Sequence, residues 1–470
     1  MKKLVVIIFV VFGFMFLRNN VACGQITFEK FSCYPVSGVM TNHLATGDFN
    51  HDGKTDVAIA TSYTENSTSI NNSKLLLYLQ DKDNLKIADN TYDYDGKTYG
   101  SVASIVCGDI NHDGLDDIVI GVRNEVGIYY QNANGKFSLP VYLYAGTTVD
   151  AIKIGDADND GFNDIVVSCA DLGRIVVFFG DVSGKLSNAN YYLSKKSGGG
   201  DVLQIAKLSS DTQNSVVKMY GQGLIGSVTV YHFNKDRTAD PINIINVPTD
   251  INPVSFVVGN VNSDNKKENE MVFSMTGKVT VWGGVWNLVN VFSLLTPDCT
   301  PGALAVGDMN NDGVQEILMI SGDFIKIIDN KVISSYYLND YSKNNAPDVF
   351  SVADLNSDGK LDIVSCSSLL DGGMSVMLNT TATVVDNTLH VGVIDQPMIA
   401  VPKVFPNPCV DVLNIDNTKE GEIVTIYDST SRVIKKVKTT NNRTVVNTRG
   451  LLSELYIINV SGKNFKIIKK

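Results

Sequence analysis

One motif recurs along this chain and constrains the fold more than any other feature. At Gly108 it reads GDINHDGLDDIVIG: oxygen-bearing side chains at alternate positions, a glycine, a further acid, then β-branched residues. Equivalent stretches begin at Gly47 (GDFNHDGKTDVAIA), Gly155 (GDADNDGFNDIVVS), Gly307 (GDMNNDGVQEILMI) and Ala353 (ADLNSDGKLDIVSC). Two weaker copies begin at Ala206 (AKLSSDTQNSVVKM) and Gly259 (GNVNSDNKKENEMVF). The loops start at positions 48, 109, 156, 207, 260, 308 and 354, so the copies recur every 46 to 61 residues. A repeat of this length is one supersecondary unit that buries its apolar faces only against its neighbours.

Each unit has the same internal order. An apolar run such as SVASIVC leads into the loop, and a strand such as DIVIGV follows it. A short turn then leads to an alternating strand (VGIYYQ, RIVVFF, SVTVYHF), and a GKF or GKL turn with a polar strand often closes the unit. Period-two alternation broken by Gly, Asn and Asp predicts four antiparallel strands per unit. Four-stranded units at this spacing predict an all-β chain, a seven-bladed β-propeller over residues 25–381. The seventh unit ends at MSVMLNTT (374–381) without a closing strand, while ITFEKFSCYP (26–35) stands before the first loop. Residues 26–35 are therefore expected to form the outer strand of the seventh sheet, removing an edge that could aggregate.

The loops follow D-x-D/N-x-D-G-x-x-D/E. Side chains at positions 1, 3 and 5 point into one concavity, Gly at 6 permits the sharp turn, and a carbonyl at 7 and a carboxylate at 9 complete a shell of hard oxygen atoms. That donor set selects calcium over magnesium, which demands tighter octahedral geometry. The last acid of an EF-hand loop stands at 12 between helices; here it stands at 9 and opens a strand. The expected ligands are Asp48, Asn50, Asp52, Lys54 and Asp56; Asp109, Asn111, Asp113, Leu115 and Asp117; Asp156, Asp158, Asp160, Phe162 and Asp164; Asp308, Asn310, Asp312, Val314 and Glu316; and Asp354, Asn356, Asp358, Lys360 and Asp362, for about five calcium ions. Lys54, Leu115, Phe162, Val314 and Lys360 enter through their carbonyls. The fourth loop has Lys207 and Ser209 in place of its first two ligands and is expected to hold no ion; the fifth begins at Asn260 and has extra residues before Glu270.

These units resemble the FG-GAP or VCBS-type repeat family, whose seven-bladed propellers include the integrin alpha-subunit head. The resemblance covers about residues 26–380. It implies cation loops between the two innermost strands of each blade, at one end of the propeller.

The two ends of the chain read as addresses. Lys2 and Lys3, the apolar run 4–17 and the small residues Ala22 and Gly24 predict a signal peptide over 1–24. A linker is expected over 382–400. Residues 401–470 predict a small β-sandwich, with VFPNPCVDVLNI at 404–415, EIVTIYDSTSRVIKK at 422–436 and the basic end KIIKK. This segment resembles the C-terminal sorting domain of the type IX secretion system of Bacteroidota, although Ser431 and Glu454 stand where the family has glycines. The resemblance implies a partner, the secretion machinery, and a secreted or outer-membrane surface location. The seven cysteines form no CxxC pair, so no zinc site is expected. Cys169 and Cys366, at equivalent places in two strands, read as buried thiols; disulfide pairing stays open.

The function classes narrow accordingly. The net charge of −11 argues against nucleic acid as a partner. Neither HExxH nor GxSxG occurs, and no catalytic residue is assigned. His51 and His112 fall at position 4 of their loops, where a side chain points outward; His43, His232 and His390 stand apart. SGGGD (197–201) lacks the Lys-Ser/Thr of a phosphate loop, and Trp282 and Trp286 read as core and turn aromatics. The leading expectation is a non-enzymatic binding or adhesion module for a glycan, a matrix component or a cell-surface protein. The alternatives are a lyase-like, polysaccharide-degrading enzyme on a calcium-stabilised propeller and a purely structural surface protein. Ligand binding is expected at the end opposite the calcium loops, where the insertion 62–74 and the loops 194–201 and 339–348 emerge.

Overall fold

The computed structural model describes residues 26–34, 40–62, 74–81, 84–93, 102–169, 173–193, 202–208, 213–220, 227–246, 253–262, 268–283, 289–296, 302–338, 347, 349–367, 373–382, 403–405, 408–416, 418, 421–428, 432–439, 443–453, 455–460 and 463–470. The chain divides into two compact units, Met1–Val385 and Asp386–Lys470. The described residues are all-β, and no helix among them is long and apolar enough to cross a membrane. The expected signal peptide, most of the expected linker and the loops 63–73, 194–201 and 339–346 lie outside the described residues.

The described residues of the first unit form seven four-stranded antiparallel sheets and one small hairpin. The first sheet runs Met40–Gly47, Asp56–Ser62, Lys74–Asp81, Asn84–Asp93, and the second Ser104–Gly108, Asp117–Val122, Glu125–Tyr129, Val141–Tyr144. The third is Ala151–Gly155, Asp164–Cys169, Arg174–Phe178, Asn190–Leu193, and the fourth Val202–Lys207, Asn214–Tyr220, Ser227–Phe233, Ala239–Asn246. The fifth is Pro253–Gly259, Glu270–Met275, Lys278–Gly283, Val289–Leu295, and the sixth Leu304–Gly307, Glu316–Ser321, Phe324–Asp329, Val332–Tyr337.

The seventh sheet is assembled from both ends of the unit. Val349–Ala353, Asp362–Cys366 and Met374–Met377 are completed by Ser32–Tyr34, in the register Ser32↔Val376. The Glu29 N–H donates to the Leu378 carbonyl at 2.9 Å, and the Tyr336 hydroxyl to the Ile26 carbonyl at 2.6 Å. Phe28 meets the Tyr336 ring edge-on, 4.9 Å between centroids. The expected N-terminal closing strand is thus in place.

Core formation explains why the second strand of a sheet reads as an almost unbroken apolar run. Asp117–Val122, Asp164–Cys169 and Glu316–Ser321 are buried at every residue. Alternate side chains of one strand serve different neighbours: Ile118, Ile120 and Val122 pack with first-sheet residues such as Leu75, whereas Val119 packs with Ile165 and Val167 of the third sheet. A strand covered on both faces has no need of a polar side. The same pairing of adjacent sheets continues to the sixth and seventh, where Leu318 and Ile325 share a cluster with Phe350 and Ile363. Leu44 and Ile59 of the first sheet in turn pack with Val364 and Val376 of the seventh. The first strands are neighbours in the same cyclic order, with Met40–Gly47 beside both Ser104–Gly108 and Val349–Ala353.

The second unit has two sheets. One is Lys403–Phe405, Val412–Asp416, Arg443–Asn447; the other is Val433–Lys438, Ile423–Tyr427, Leu455–Val460, Lys463–Ile468. Leu413 and Ile415 from the first share a core with Ile426, Tyr456 and Ile458 from the second. Among the described cysteines, Cys169, Cys366 and Cys409 are buried and none is in a disulfide.

Candidate metal loops

Each intact loop joins the first strand of its sheet to the second, and all five adopt one conformation. Position 4 has the left-handed backbone in every case: His51, His112, Asn159, Asn311 and Ser357 have φ of 57° to 61°. Position 6 requires glycine because φ there is 80° to 95° at Gly53, Gly114, Gly161, Gly313 and Gly359. These two turns fold the chain back so that the carboxylate at position 1 receives the amides of positions 5 and 6. Asp113 and Gly114 donate to Asp109 at 3.0 and 2.9 Å, and Asp312 and Gly313 to Asp308 at 3.0 and 2.8 Å. The amide oxygen at position 3 accepts from position 5 as well, at 2.9 Å from Asp52 to Asn50 and 3.1 Å from Asp358 to Asn356. The carboxylate at position 5 accepts from position 7, from Lys54, Leu115, Phe162, Val314 and Lys360, at 2.9 to 3.0 Å.

Position 9 is different in kind, because it is buried beneath the loop. Asp56, Asp117, Asp164, Glu316 and Asp362 are all 2% exposed or less. Each accepts the N–H of position 2, from Phe49, Ile110, Ala157, Met309 and Leu355, at 2.7 to 3.1 Å. Four of them also accept an N–H from the end of the third strand: Gln80 for Asp56, Gln131 for Asp117, Gly180 for Asp164 and Asn379 for Asp362, at 2.7 to 2.9 Å. Burial is the largest influence on these carboxyls and outweighs the amide donors. It pushes Asp56, Asp117 and Asp164 up to about 7, Glu316 to about 8 and Asp362 to about 6.

In the third loop Asp156, Asp158 and Asp164 bring carboxylate oxygens within 4.8 Å of one another. It alone among the five intact loops has an acid at position 3, where the others have Asn50, Asn111, Asn310 and Asn356. Arg237 reaches into it from the fourth sheet, with Nε 2.9 Å from Asp158 and Nη2 3.2 Å from Asp160. Burial and Asp160 raise the Asp158 carboxyl, against the pull of Arg237. The fourth and fifth loops are described only in part, since 209–212 and 263–267 lie outside the described residues. His51 and His112 are exposed, as their place in the loops implies.

The structure adds a set of residues that the motif did not single out. Position 8 of one loop bonds the backbone at position 1 of the loop before it. Asp116 accepts the Asp48 N–H at 2.8 Å; Asn163 donates to the Asp109 carbonyl, Asn214 to that of Asp156 and Asn269 to that of Lys207, each at 2.8 Å; Gln315 accepts the Asn260 N–H at 2.9 Å. The links pass through the two degenerate loops without a break. Their signal was present in the sequence as a recurring amide or acid just before position 9 of five units. No single unit reveals its use, because the partner lies in another.

Comparison with known proteins identifies the repeats and the C-terminal segment. The FG-GAP-like repeat model matches residues 48–120 and 109–167, and the secretion system C-terminal sorting domain model matches residues 403–470. Beta-agarase A of Zobellia galactanivorans is 27% identical over 77 residues, 16% of this chain; the match spans only 14% of that protein's length. Among solved structures, BBS1N in complex with ARL6DN superposes with a TM-score of 0.53 at 13% identity, over 77% of this chain and 99% of that one. PorZ, a surface component of the type IX secretion system of Porphyromonas gingivalis, gives a TM-score of 0.43 at 13% identity, over 88% of this chain and 58% of that one. The chain thus carries FG-GAP-like repeats within an all-β, propeller-like unit, followed by a type IX sorting domain that directs it to the cell surface or the extracellular space.

Proposed function

We propose that the chain is an exported, calcium-stabilised seven-bladed propeller that acts as a binding or adhesion module. The observation that carries the metal reading is the set of five loops of one backbone conformation and hydrogen-bond pattern, each with oxygen donors beside a buried carboxylate that burial drives toward protonation. A divalent cation would favour the charged form of that carboxylate and relieve the repulsion among positions 1, 5 and 9. The donors are carboxylate, amide and carbonyl oxygens, the set that suits calcium. Asp109, Asn111, Asp113 and Asp117, with the Leu115 carbonyl, would hold one ion, and the matching residues of the first, third, sixth and seventh loops the others. Calcium would supply charge neutralisation and rigidity; the loops themselves set the first and second strands of each sheet in register.

The acids are engaged in loop structure, which makes them poor proton-transfer groups and favours binding over catalysis. A fold of this kind does not name its ligand. A glycan, a matrix component or a cell-surface protein is proposed to dock on the end opposite the loops, where the turns between second and third strands vary in length. The test uses the full-length chain in calcium equilibrium dialysis and on glycan and matrix-protein arrays. Binding of several calcium ions at millimolar concentration and retention of an array ligand are expected. Absence of bound calcium rejects the metal reading. Loss of ligand binding on changing His51 and His112, with no effect of shortening 63–73, places the ligand at the wrong end.

A further inference from the structure

The turn that closes one sheet lies on the metal loop of the sheet before it, and glycine makes this possible in two cases. Gly135 follows Asn132-Ala-Asn and Gly184 follows Asp181-Val-Ser; both have positive φ, 67° and 71°, and donate back to residue 132 or 181 at 2.8 and 2.9 Å. A Cβ at Gly135 would stand 2.3 Å from the Asn50 carbonyl oxygen, and one at Gly184 2.1 Å from that of Asn111. Each turn glycine therefore sits against position 3 of the preceding loop.

Arg237 occupies the same place in the fourth sheet. The register aligns Tyr129, Phe178 and Tyr231 opposite Ile118, Ile165 and Val216, and Gly135, Gly184 and Arg237 each lie six residues further on. Arg237 has φ of 63° and donates its N–H to the Asn234 carbonyl at 2.8 Å, as the glycines do. This backbone conformation costs a non-glycine residue energy, which the contacts of its side chain offset. The loop beneath it is the one whose position 3 is Asp158 and not Asn. The guanidinium spans Asp158 and Asp160, donates to the Gly180 carbonyl at 3.1 Å, and lies 4.6 Å over the Phe179 ring. Tyr192 anchors the turn by donating to the Arg237 carbonyl at 2.6 Å. One extra acid in a loop is thus met by one arginine where a glycine stands elsewhere.

We propose that Arg237 is a built-in cation of the third loop, which orders that loop without metal and makes it the weakest calcium site of the five. The guanidinium neutralises the extra carboxylate and bridges the two acids that calcium would otherwise draw together. Calcium enters only by displacing it. The second half of this inference rests on the proposed calcium reading; the first half does not.

The experiment compares the full-length parent with Arg237→Gly, Asp158→Asn and the double variant. Glycine suits the backbone at 237, so folding is retained. In EDTA, R237G is expected to lower the melting temperature by several degrees, and D158N to restore most of the loss when combined with it. An R237G variant that melts like the parent, or a loss that D158N does not relieve, overturns the proposal. In calcium dialysis, R237G is expected to bind one more ion than the parent at submillimolar calcium, with at least a tenfold gain at that site. Equal stoichiometry and affinity overturn the displacement claim. If neither protein binds calcium, the metal reading and the displacement claim fall together, and the EDTA comparison alone decides the role of Arg237.

Discussion

The Asn163 side-chain amide donates to the Asp109 carbonyl at 2.8 Å, across the boundary between the third and second sheets. Asp116 makes the same link one sheet earlier with the opposite polarity, accepting the Asp48 N–H at 2.8 Å. The loops are therefore joined to one another directly, and not only through the sheets that carry them.

That polarity predicts a paired result. Asn163→Asp sets a carboxylate against a carbonyl and is expected to destabilise the protein by about 2 kcal/mol or more, read from the urea midpoint. Asp116→Asn keeps an acceptor oxygen and is expected to cost less than about 1 kcal/mol. Equal costs for the two changes would mean that the links do not act through these hydrogen bonds.

Asp117 holds two buried backbone amides, those of Ile110 and Gln131. Asp117→Ala leaves both without their acceptor and is expected to cost about 2–5 kcal/mol. Asp117→Asn retains one acceptor and should fall between the parent and the alanine variant. Denaturant unfolding in EDTA measures this without a contribution from metal.

Calcium should raise stability in proportion to the number of filled loops. Sites of extracellular type bind at about 10⁻⁴–10⁻³ M, so millimolar calcium adds about 1 kcal/mol per site. Melting with millimolar calcium and with EDTA should differ by many degrees; coincident curves are the contrary result.

His43 contributes a pH dependence opposite in sign to that of the five buried carboxyls, whose raised values favour the folded state as pH falls. Its imidazole in the first strand of the first sheet is pushed down to about 4 by burial. The folded state therefore favours the neutral ring, and its contribution is fully present above the ordinary value of 6.5 and is lost as pH falls from 6.5 through about 4. Relative to the parent, His43→Gln should gain stability as pH falls from 6.5 to about 4, the carboxyl contributions being common to both proteins. A variant whose stability runs parallel to the parent's over that interval would overturn the assignment.

Removal of residues 26–34 should expose Met374–Met377 as a sheet edge and take Phe28 from Tyr336. The expected outcome is loss of soluble protein through aggregation, and Tyr336→Phe, which deletes the hydroxyl and its bond to Ile26 but keeps the strand and the ring, should be milder. Size-exclusion chromatography of both variants checks the order.

What the sequence determined by itself is whatever repeats within one unit. The oxygen pattern of GDINHDGLDD, the glycine at position 6 and the apolar run DIVIGV are local, and they specify the turn and the strand that follows wherever they occur. The missing closing strand after MSVMLNTT and the spare one at residues 26–35 were likewise legible, because a sheet edge has to be matched. Only the tertiary structure decided which residues meet between units. Asn163 and Asp109 are 54 residues apart, and Arg237 and Asp158 are 79. Those meetings depend on the register and packing of one sheet against the next, a property of side chains on two units together. The same holds for His43, whose depressed value comes from its surroundings and not from its neighbours in the chain. Charge balance at the third loop was written as an aspartate at 158 and an arginine at 237; that they answer each other became visible only when the fourth sheet's turn was laid on the third sheet's loop.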